Sequence, residues 1–379
     1  MKAQDQKKND KSLKVAIAGG GTGGHLFPAI SMAEAFRQKD PKTGALFISS
    51  GNRFEVETLG RAGFSLEKVI AQGIKGKGIF SQGNAMIKMP FGIFQSALIL
   101  KRFNPDVVIG VGGYSSGPVA AAAKLMGIKT ALHEQNILPG ITNSFLSLFA
   151  DRVYVSFDET RLDAAGRRIP SINPKKVVVT GNPIRKELLE QGRKISKQNF
   201  LFHILVLGGS QGAHKINLAI IEALNFFRAR DLFFIHQTGE KDAKRVEKAY
   251  KKHEISHEVK PFFNDMGKRY ARADLVICRS GAGAVAEISA LGKSAVFVPF
   301  PFAADNHQLL NAMTMKKKGA ADIINEDDLT GRRLYETVRY YRSNRDALSR
   351  MAEKAGKMGK PGAAEAIVRD CYQLLERDY

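Results

Sequence analysis

The sequence predicts an α/β protein with mostly parallel sheets, laid out as two doubly wound domains in tandem. Three observations carry that expectation. Short apolar runs rich in β-branched residues alternate with helical patterns along the chain. The segment Lys14-Val-Ala-Ile-Ala-Gly-Gly-Gly has a counterpart in His203-Ile-Leu-Val-Leu-Gly-Gly-Ser, and each reads as a strand entering a glycine loop before a helix. These two starts lie about half of the 379-residue chain apart, and a chain of that length is expected to form two domains.

Strands are expected in the first half at Val15–Ala18, Ala45–Ser49, Lys68–Ala71, Val107–Gly110, Thr130–His133, Val153–Val155 and Val177–Thr180. Each is a short β-rich run bounded by turn residues. The second half restarts at His203–Leu207 and continues through Leu232–His236, Glu258–Pro261, Leu275–Cys278, Ala295–Pro299 and Ala321–Ile324. A junction near Gly181-Asn182-Pro183 divides the chain into expected domains at 1–184 and 185–360. Past Pro361, residues Ala364, Ile367, Val368, Cys371, Leu374 and Leu375 share one helical face. Residues 361–379 should therefore form a helix that returns toward the first domain.

Composition narrows the function. Hydrophobic residues make up 44% and charged residues 25%, which excludes wholesale disorder. Cys278 and Cys371 form no C-x-x-C pair, so a disulfide framework, a cysteine zinc site and an iron–sulfur cluster are excluded. The opening MKAQDQKKNDKSLK lacks an apolar core and is not expected to be a secretory signal. Lys88, Lys101 and Lys124 interrupt the longest apolar runs before they reach the ~18–20 residues of a membrane span. A formal charge of +21 calls for an anionic partner: nucleic acid, a phosphorylated substrate or a membrane surface.

Four glycine loops follow predicted strands. Gly19-Gly20-Gly21-Thr22-Gly23-Gly24 contains G-x-G-x-x-G, whose glycines permit close backbone approach while the next helix offers free N–H groups to an anion. A dinucleotide site also needs an acidic residue at the end of the second strand, and Ser49-Ser50-Gly51-Asn52 supplies none. Gly110–Pro118, Gly208–Ala213 and Arg279–Glu287 are the other three. None matches G-x-x-x-x-G-K-[ST], which excludes a P-loop NTPase. Four such loops over two domains point to several phosphates bound in a cleft.

The motifs Gly20-Gly-Thr-Gly-Gly-His-Leu-Phe-Pro-Ala29, Gly112-Gly-Tyr-Ser-Ser-Gly-Pro118, His133-Glu-Gln-Asn136, Gly181-Asn-Pro-Ile-Arg185, Gly208-Gly-Ser-Gln-Gly-Ala213 and Cys278-Arg-Ser-Gly-Ala-Gly-Ala-Val-Ala-Glu287 occur in this order, ending with Pro299–Asn311. In that set and order the chain closely resembles the MurG family of bacterial N-acetylglucosaminyltransferases, which make lipid II from lipid I in peptidoglycan synthesis. The resemblance implies a GT-B fold of two Rossmann-like domains facing a cleft. It also implies inverting transfer of GlcNAc from UDP-GlcNAc to the 4-hydroxyl of MurNAc in undecaprenyl-diphospho-MurNAc-pentapeptide, with no cofactor and no metal. Implied partners are UDP-GlcNAc, lipid I, the anionic inner-membrane surface on its cytoplasmic face, and other cell-wall synthesis and division proteins.

Carried over by motif, Glu287 would hold ribose hydroxyls, as a carboxylate can accept from both members of a diol. The backbone of Ala282, Gly283, Ala284, Val285 and Ala286 would face the diphosphate at a helix N-terminus. Ser210 would touch phosphate, and Arg185 would add a charge-assisted bond. Phe263 falls where the family's backbone meets uracil, and Gln308 would hydrogen-bond the GlcNAc hydroxyls. Asn136 with Thr22, Gly23 and Gly24 would reach the sugar from the first domain, and Tyr114 and Ser115 would shape the acceptor site. The chain departs from relatives at Ala282–Ala286, which lacks a threonine, and at Ala303-Ala304-Asp305, which is less polar.

Inverting transfer requires the acceptor hydroxyl to lose a proton as the sugar–phosphate bond breaks, so a base near neutral pKa is needed. His25 is the best base candidate, with loop capping or substrate contact as its alternatives. Other readings are a UDP-sugar 2-epimerase or glycolipid synthase of the same fold, and a nucleic-acid-binding protein. No nucleic-acid partner is expected, because the aromatic-interleaved basic motifs of such proteins are missing from the sequence. Finally, residues 68–105 contain no carboxylate but carry Lys75, Lys77 and Lys88 among Ile79, Phe80, Phe91 and Phe94. That stretch is expected to dock on the membrane, against the alternative of a buried helix with a basic rim.

Overall fold

The computed structural model describes residues 12–71, 79–160, 173–193, 201–209, 212–228, 231–377 and 379, without the side chains of 79–88. The chain divides into two compact units, Met1–Arg185 with Gly362–Tyr379, and Lys186–Pro361.

In the first unit, β1 (Lys14–Ala18), α1 (Gly23–Lys39), β2 (Gly44–Ser49), α2 (Arg53–Arg61) and β3 (Ser65–Lys68) lead into the long α3 (Ile79–Phe103). Then come β4 (Val107–Gly110), α4 (Ser116–Leu125), β5 (Lys129–Glu134), α5 (Ile141–Leu146), β6 (Arg152–Val155) and β7 (Val177–Val179). The strands run parallel in the order β3-β2-β1-β4-β5-β6-β7. Alternate residues of β1 serve opposite layers. Val15 and Ile17 pack with Leu26 and Phe36 of α1, whereas Ala16 and Ala18 pack with Leu100 of α3 and Val119 of α4. A parallel strand buried on both faces must be apolar at every position, which is why these strands read as continuous hydrophobic runs.

One expected strand is displaced. The strand placed at Lys68–Ala71 forms instead at Ser65–Lys68, with Leu46 opposite Ser65 and Ser49 opposite Lys68. As the sheet edge it is partly exposed and tolerates Ser, Glu and Lys, so the apolar run at Val69 and Ile70 marks its exit rather than its body.

The second unit repeats the plan. It begins with α6 (Lys186–Arg193), β8 (Phe202–Leu207), α7 (His214–Ala223), β9 (Leu232–Gln237), α8 (Ala243–Lys252) and β10 (Ser256–Lys260). It continues with α9 (Met266–Arg272), β11 (Leu275–Cys278), α10 (Ala282–Ala290), β12 (Ser294–Phe297), α11 (His307–Lys317) and β13 (Asp322–Ile323). Helices α12 (Gly331–Ser343) and α13 (Arg345–Met358) close it. Its parallel strand order is β10-β9-β8-β11-β12-β13. In both sheets the order reverses beside the first strand of the unit, between β1 and β4 and between β8 and β11. Open α/β sheets bind ligands outside the carboxyl ends of the strands at such switch points.

The last helix, α14 (Ala363–Leu374), belongs to the first unit, where Ile367, Val368 and Cys371 join the core formed by α1 and the sheet. Its polar tie is Asp370, which accepts from Arg152 Nε at 3.1 Å and from the buried Tyr154 hydroxyl at 2.9 Å. Asp370→Ala leaves that hydroxyl without its carboxylate and should lower stability by about 2 kcal/mol. Urea unfolding followed by hydrogen exchange should place the loss in β6, α1 and α14 and leave the second unit unchanged.

Candidate active site

At the switch point of the first unit, two glycine loops meet backbone to backbone. A Cβ on Gly19, at φ +127°, would lie 2.2 Å from the Gly112 carbonyl oxygen. One on Gly113, at φ +82°, would lie 2.8 Å from the Gly20 oxygen. Only glycine fits at either place. Thr22 takes the N-cap position of α1 without a side-chain capping bond, and Thr22 and Gly24 are exposed.

Behind these loops a polar relay fixes His25. Its Nδ1 lies 3.2 Å from Gln135 Oε1. Gln135 Nε2 donates to the Val111 carbonyl at 2.8 Å, and that carbonyl can only accept, so the amide orientation is set. The same nitrogen lies 3.1 Å from His133 Nδ1, while His133 Nε2 donates to the Gly181 carbonyl at 3.2 Å. The chain of donors leaves one consistent assignment. Gln135 Oε1 accepts from His25 Nδ1–H, so in the neutral imidazole the lone pair is on Nε2. Burial holds the His133 imidazole down at about pKa 4, so this relay member stays neutral.

The neighbouring residues are placed by the same connections. Glu134 is buried and accepts from Asn136 N at 2.9 Å and from Asn143 Nδ2 at 2.9 Å, and burial still raises its carboxyl above the usual range. Asn136 is thereby fixed at the carboxyl end of β5. Tyr114 is exposed, whereas Ser115 is buried at the start of α4. The Arg185 guanidinium stacks over the Phe27 ring of α1 at 4.5 Å. Asn182 is 4% exposed with neither amide atom hydrogen-bonded, a costly state in a dry interior.

In the second unit the loop after β8 is tied down by Gln237, at the end of β9. Gln237 Nε2 donates to the Gly209 carbonyl at 3.0 Å, and its Oε1 accepts from Phe263 N at 3.0 Å. The Phe263 side chain is buried, with the Arg269 guanidinium 4.7 Å from its ring centre, so this position presents main chain rather than ring. Ser210 lies outside the described residues.

After β11 the chain turns into α10 through Gly281, which has no side chain to cap the helix, and no acidic residue enters the first turn. The N–H groups of Ala282, Gly283 and Ala284 therefore start a helix of positive end potential at the switch point. Glu287 follows at the sixth position, and the buried Tyr270 hydroxyl donates to its Oε2 at 3.0 Å. Gln308, on the first turn of α11, accepts from Phe300 N at 3.0 Å through Oε1, which orients its amide nitrogen as the donor end. Asp305 and Asn306 before it both sit at φ +54°, strain of a kind that collects at functional loops. Arg279, despite its place in the motif, is spent within the unit on the Val298 and Pro299 carbonyls and on Glu326.

Sequence reading missed Gln135, Gln237 and Tyr270. Each acts through a neighbour, and only His133-Glu-Gln-Asn136 held a local hint, a polar residue just past a buried strand end. The expected residues fall into two clusters, Thr22–His25, Tyr114, Ser115, Asn136 and Arg185 in the first unit, and Phe263, Ala282–Glu287 and Gln308 in the second.

Two doubly wound units, each with glycine loops at its switch point, make the GT-B architecture. Residues 15–155 match the glycosyltransferase family 28 N-terminal domain and residues 203–367 match the glycosyltransferase family 28 C-terminal domain. The chain belongs to glycosyltransferase family 28. Over 366 residues it is 43% identical to the UDP-N-acetylglucosamine--N-acetylmuramyl-(pentapeptide) pyrophosphoryl-undecaprenol N-acetylglucosamine transferase of Syntrophus aciditrophicus, covering 96% of this chain and 99% of that one. It is 42% identical to the protein of the same name from Myxococcus xanthus, covering 96% and 93%. The crystal structure of Acinetobacter baumannii MurG superimposes with a TM-score of 0.76 at 31% identity, covering 96% and 99% of the two chains. UDP-GlcNAc 2-epimerase from Neisseria meningitidis, at 15% identity and a TM-score of 0.64, shares the fold alone.

The relay makes the first unit sensitive to acid. His133 titrates near 6.5 when unfolded and at about 4 when folded. The unfolded chain therefore binds more protons between those values, and stability present above pH 6.5 is lost as pH falls toward 4, by about 3 kcal/mol in all. His133→Gln should flatten that slope in pH-dependent urea midpoints of the first unit.

Proposed function

We propose that this chain transfers GlcNAc from UDP-GlcNAc to the 4-hydroxyl of MurNAc in undecaprenyl-diphospho-MurNAc-pentapeptide, releasing UDP with inversion at the anomeric carbon. The observation that carries this reading is the relay fixing His25 with its lone pair on Nε2, at a switch point of a chain whose relatives bear that name along their whole length. His25 Nε2 takes the hydroxyl proton as the acceptor oxygen bonds to the anomeric carbon. The bond from that carbon to the β-phosphate oxygen breaks, and UDP leaves with the electron pair. The α10 N-terminus, with Ser210 and Arg185, offsets the charge gathering on the leaving diphosphate. Glu287, held by Tyr270, accepts from the ribose hydroxyls. The Phe263 N–H is engaged by Gln237, which leaves its carbonyl to face the base. Gln308 donates to the sugar hydroxyls, and Asn136 and Thr22–Gly24 approach the sugar with Tyr114 and Ser115 on the acceptor side.

Release of UDP from UDP-GlcNAc that depends on the polyprenyl-diphosphoryl acceptor tests the reading, and conversion of UDP-GlcNAc without acceptor would assign an epimerase instead. Glu287→Ala should weaken UDP-GlcNAc binding at least tenfold by calorimetry with the fold retained, an effect of about 1.4 kcal/mol or more. His25→Ala should lower kcat by about 10²–10⁴-fold while leaving donor affinity near that of the wild type. Wild-type turnover in that variant would place the base elsewhere.

We further propose that the enzyme works as a peripheral protein on the cytoplasmic face of the inner membrane, where its acceptor is anchored. Phe91, Phe94 and Leu98 are 56%, 60% and 53% exposed and follow one stripe of α3, with Lys101 and Arg102 exposed beyond them. Gly92 faces the other way, against Pro118 of α4 and the Ile70 carbonyl, and Ser96 is buried. Among the described residues, no helix is long and apolar enough to cross a membrane. Lys75 and Lys77 lie outside the described residues, as do the side chains of Ile79, Phe80 and Lys88. Phe91→Ser with Phe94→Ser should cut co-sedimentation with anionic vesicles several-fold without loss of turnover on a detergent-soluble acceptor. Full vesicle binding by the folded double variant would refute this docking face.

A further inference from the structure

The first glycine loop already holds an anion, and the chain itself supplies it. Glu55 is fully buried on the first turn of α2, after the capping residue Asn52. Its Oε1 accepts from the backbone N–H of Gly21 at 2.6 Å. Its Oε2 accepts from Asn52 N at 2.9 Å and from the Ser50 hydroxyl at 3.2 Å. Asn52 Oδ1 in turn accepts from Glu55 N at 2.9 Å, which closes the capping box. A Cβ on Gly20 would stand 2.2 Å from Glu55 Oε1, so the carboxylate seats only because Gly20 has none.

The position of this carboxylate carries the inference. Gly21 lies in the loop after β1, at the switch point of the first unit, where a phosphate would take backbone N–H groups. In a dinucleotide site the acidic residue near the second strand faces outward, to a ribose. Here the acid lies slightly further along the chain, at Glu55, and faces inward onto the loop. It occupies a donor that a phosphate would need and sets a negative charge beside any that approached.

We propose that Glu55 is a built-in anion filling the phosphate position of the first unit, so that free phosphate and nucleotide are refused there. The same contact makes Glu55 a positioning residue for the loop from Gly19 to Thr22, which leads directly into His25. The refusal of nucleotide rests on the donor binding in the second unit, whereas the filling of the loop stands on the geometry alone.

Chemical rescue tests it. Both Glu55 oxygens accept from donors, so Glu55→Gln must aim its amide N–H groups either at the Gly21 N–H or at the Asn52 N–H. That variant should lose about 5 °C of thermal midpoint and a large part of its turnover. Glu55→Ala vacates the position, and formate at tens of millimolar should restore midpoint and turnover in this variant while leaving the wild type unmoved, with sodium chloride at equal ionic strength as control. If the alanine variant is recovered unfolded, the same comparison is read as yield of folded protein in formate against chloride. An alanine variant that responds no more to formate than to chloride, or a glutamine variant indistinguishable from wild type, overturns the proposal. Calorimetry with UDP should give one site per chain in the wild type, and a second site overturns the refusal of nucleotide. The thermal midpoint needs no substrate, so failure of the proposed transfer reaction leaves the rescue test intact.

Discussion

At the carboxyl end of β1 the loop Gly19–Gly20 lies against Gly112–Gly113 with no room for a side chain between them, and Gly20 N donates to the Gly112 carbonyl at 3.3 Å. Much of the first unit's site depends on this approach. Beside it, the pairing of β4 with β5 sets the Val111 carbonyl within reach of Gln135, and Gln135 orients His25. His25 itself packs against Gly112, whose would-be Cβ lies 3.0 Å from the imidazole. A methyl group at Gly19 or Gly113 would push the two loops apart, beside a hydrogen-bonded relay whose inner members, His133 and Gln135, are buried and cannot turn to water.

The two units have the same plan and use it for opposite ends. In the first, the loop at the switch point donates the Gly21 N–H to the Glu55 carboxylate. In the second, the helix after β11 begins at a bare glycine with no acid in its first turn, which leaves its positive end for an outside anion. The same topology thus carries a carboxylate at one switch point and an uncapped helix at the other. Gln237 then does in the second unit what Gln135 does in the first, linking two loops through one amide whose donor and acceptor ends are both used.

Helix α3 packs one apolar face and exposes another. Its inward residues Ile99 and Leu100 are buried against the sheet, which satisfies the hydrophobic requirement of the fold. Phe91, Phe94 and Leu98 add nothing to that core and remain in contact with solvent, at a cost that a membrane surface would offset.

The sequence by itself determined the parallel α/β class, the restart at His203, and the positions of nearly every strand, because buried parallel strands must be apolar throughout and leave continuous runs to read. It also determined the glycine loops, because only glycine tolerates such backbone contact, and the ordered motifs carried the family resemblance. It misplaced β3, since an edge strand need not be apolar. What only the tertiary structure decided was the chemistry of second neighbours. The tautomer of His25 depends on Gln135 and His133, the setting of Glu287 on Tyr270, and the filling of the first loop on Glu55, which stands 34 residues from the N–H it binds. These are single polar contacts between residues distant in sequence. Such contacts leave no periodicity behind, and only the folded backbone brings their donors and acceptors within 3 Å or so.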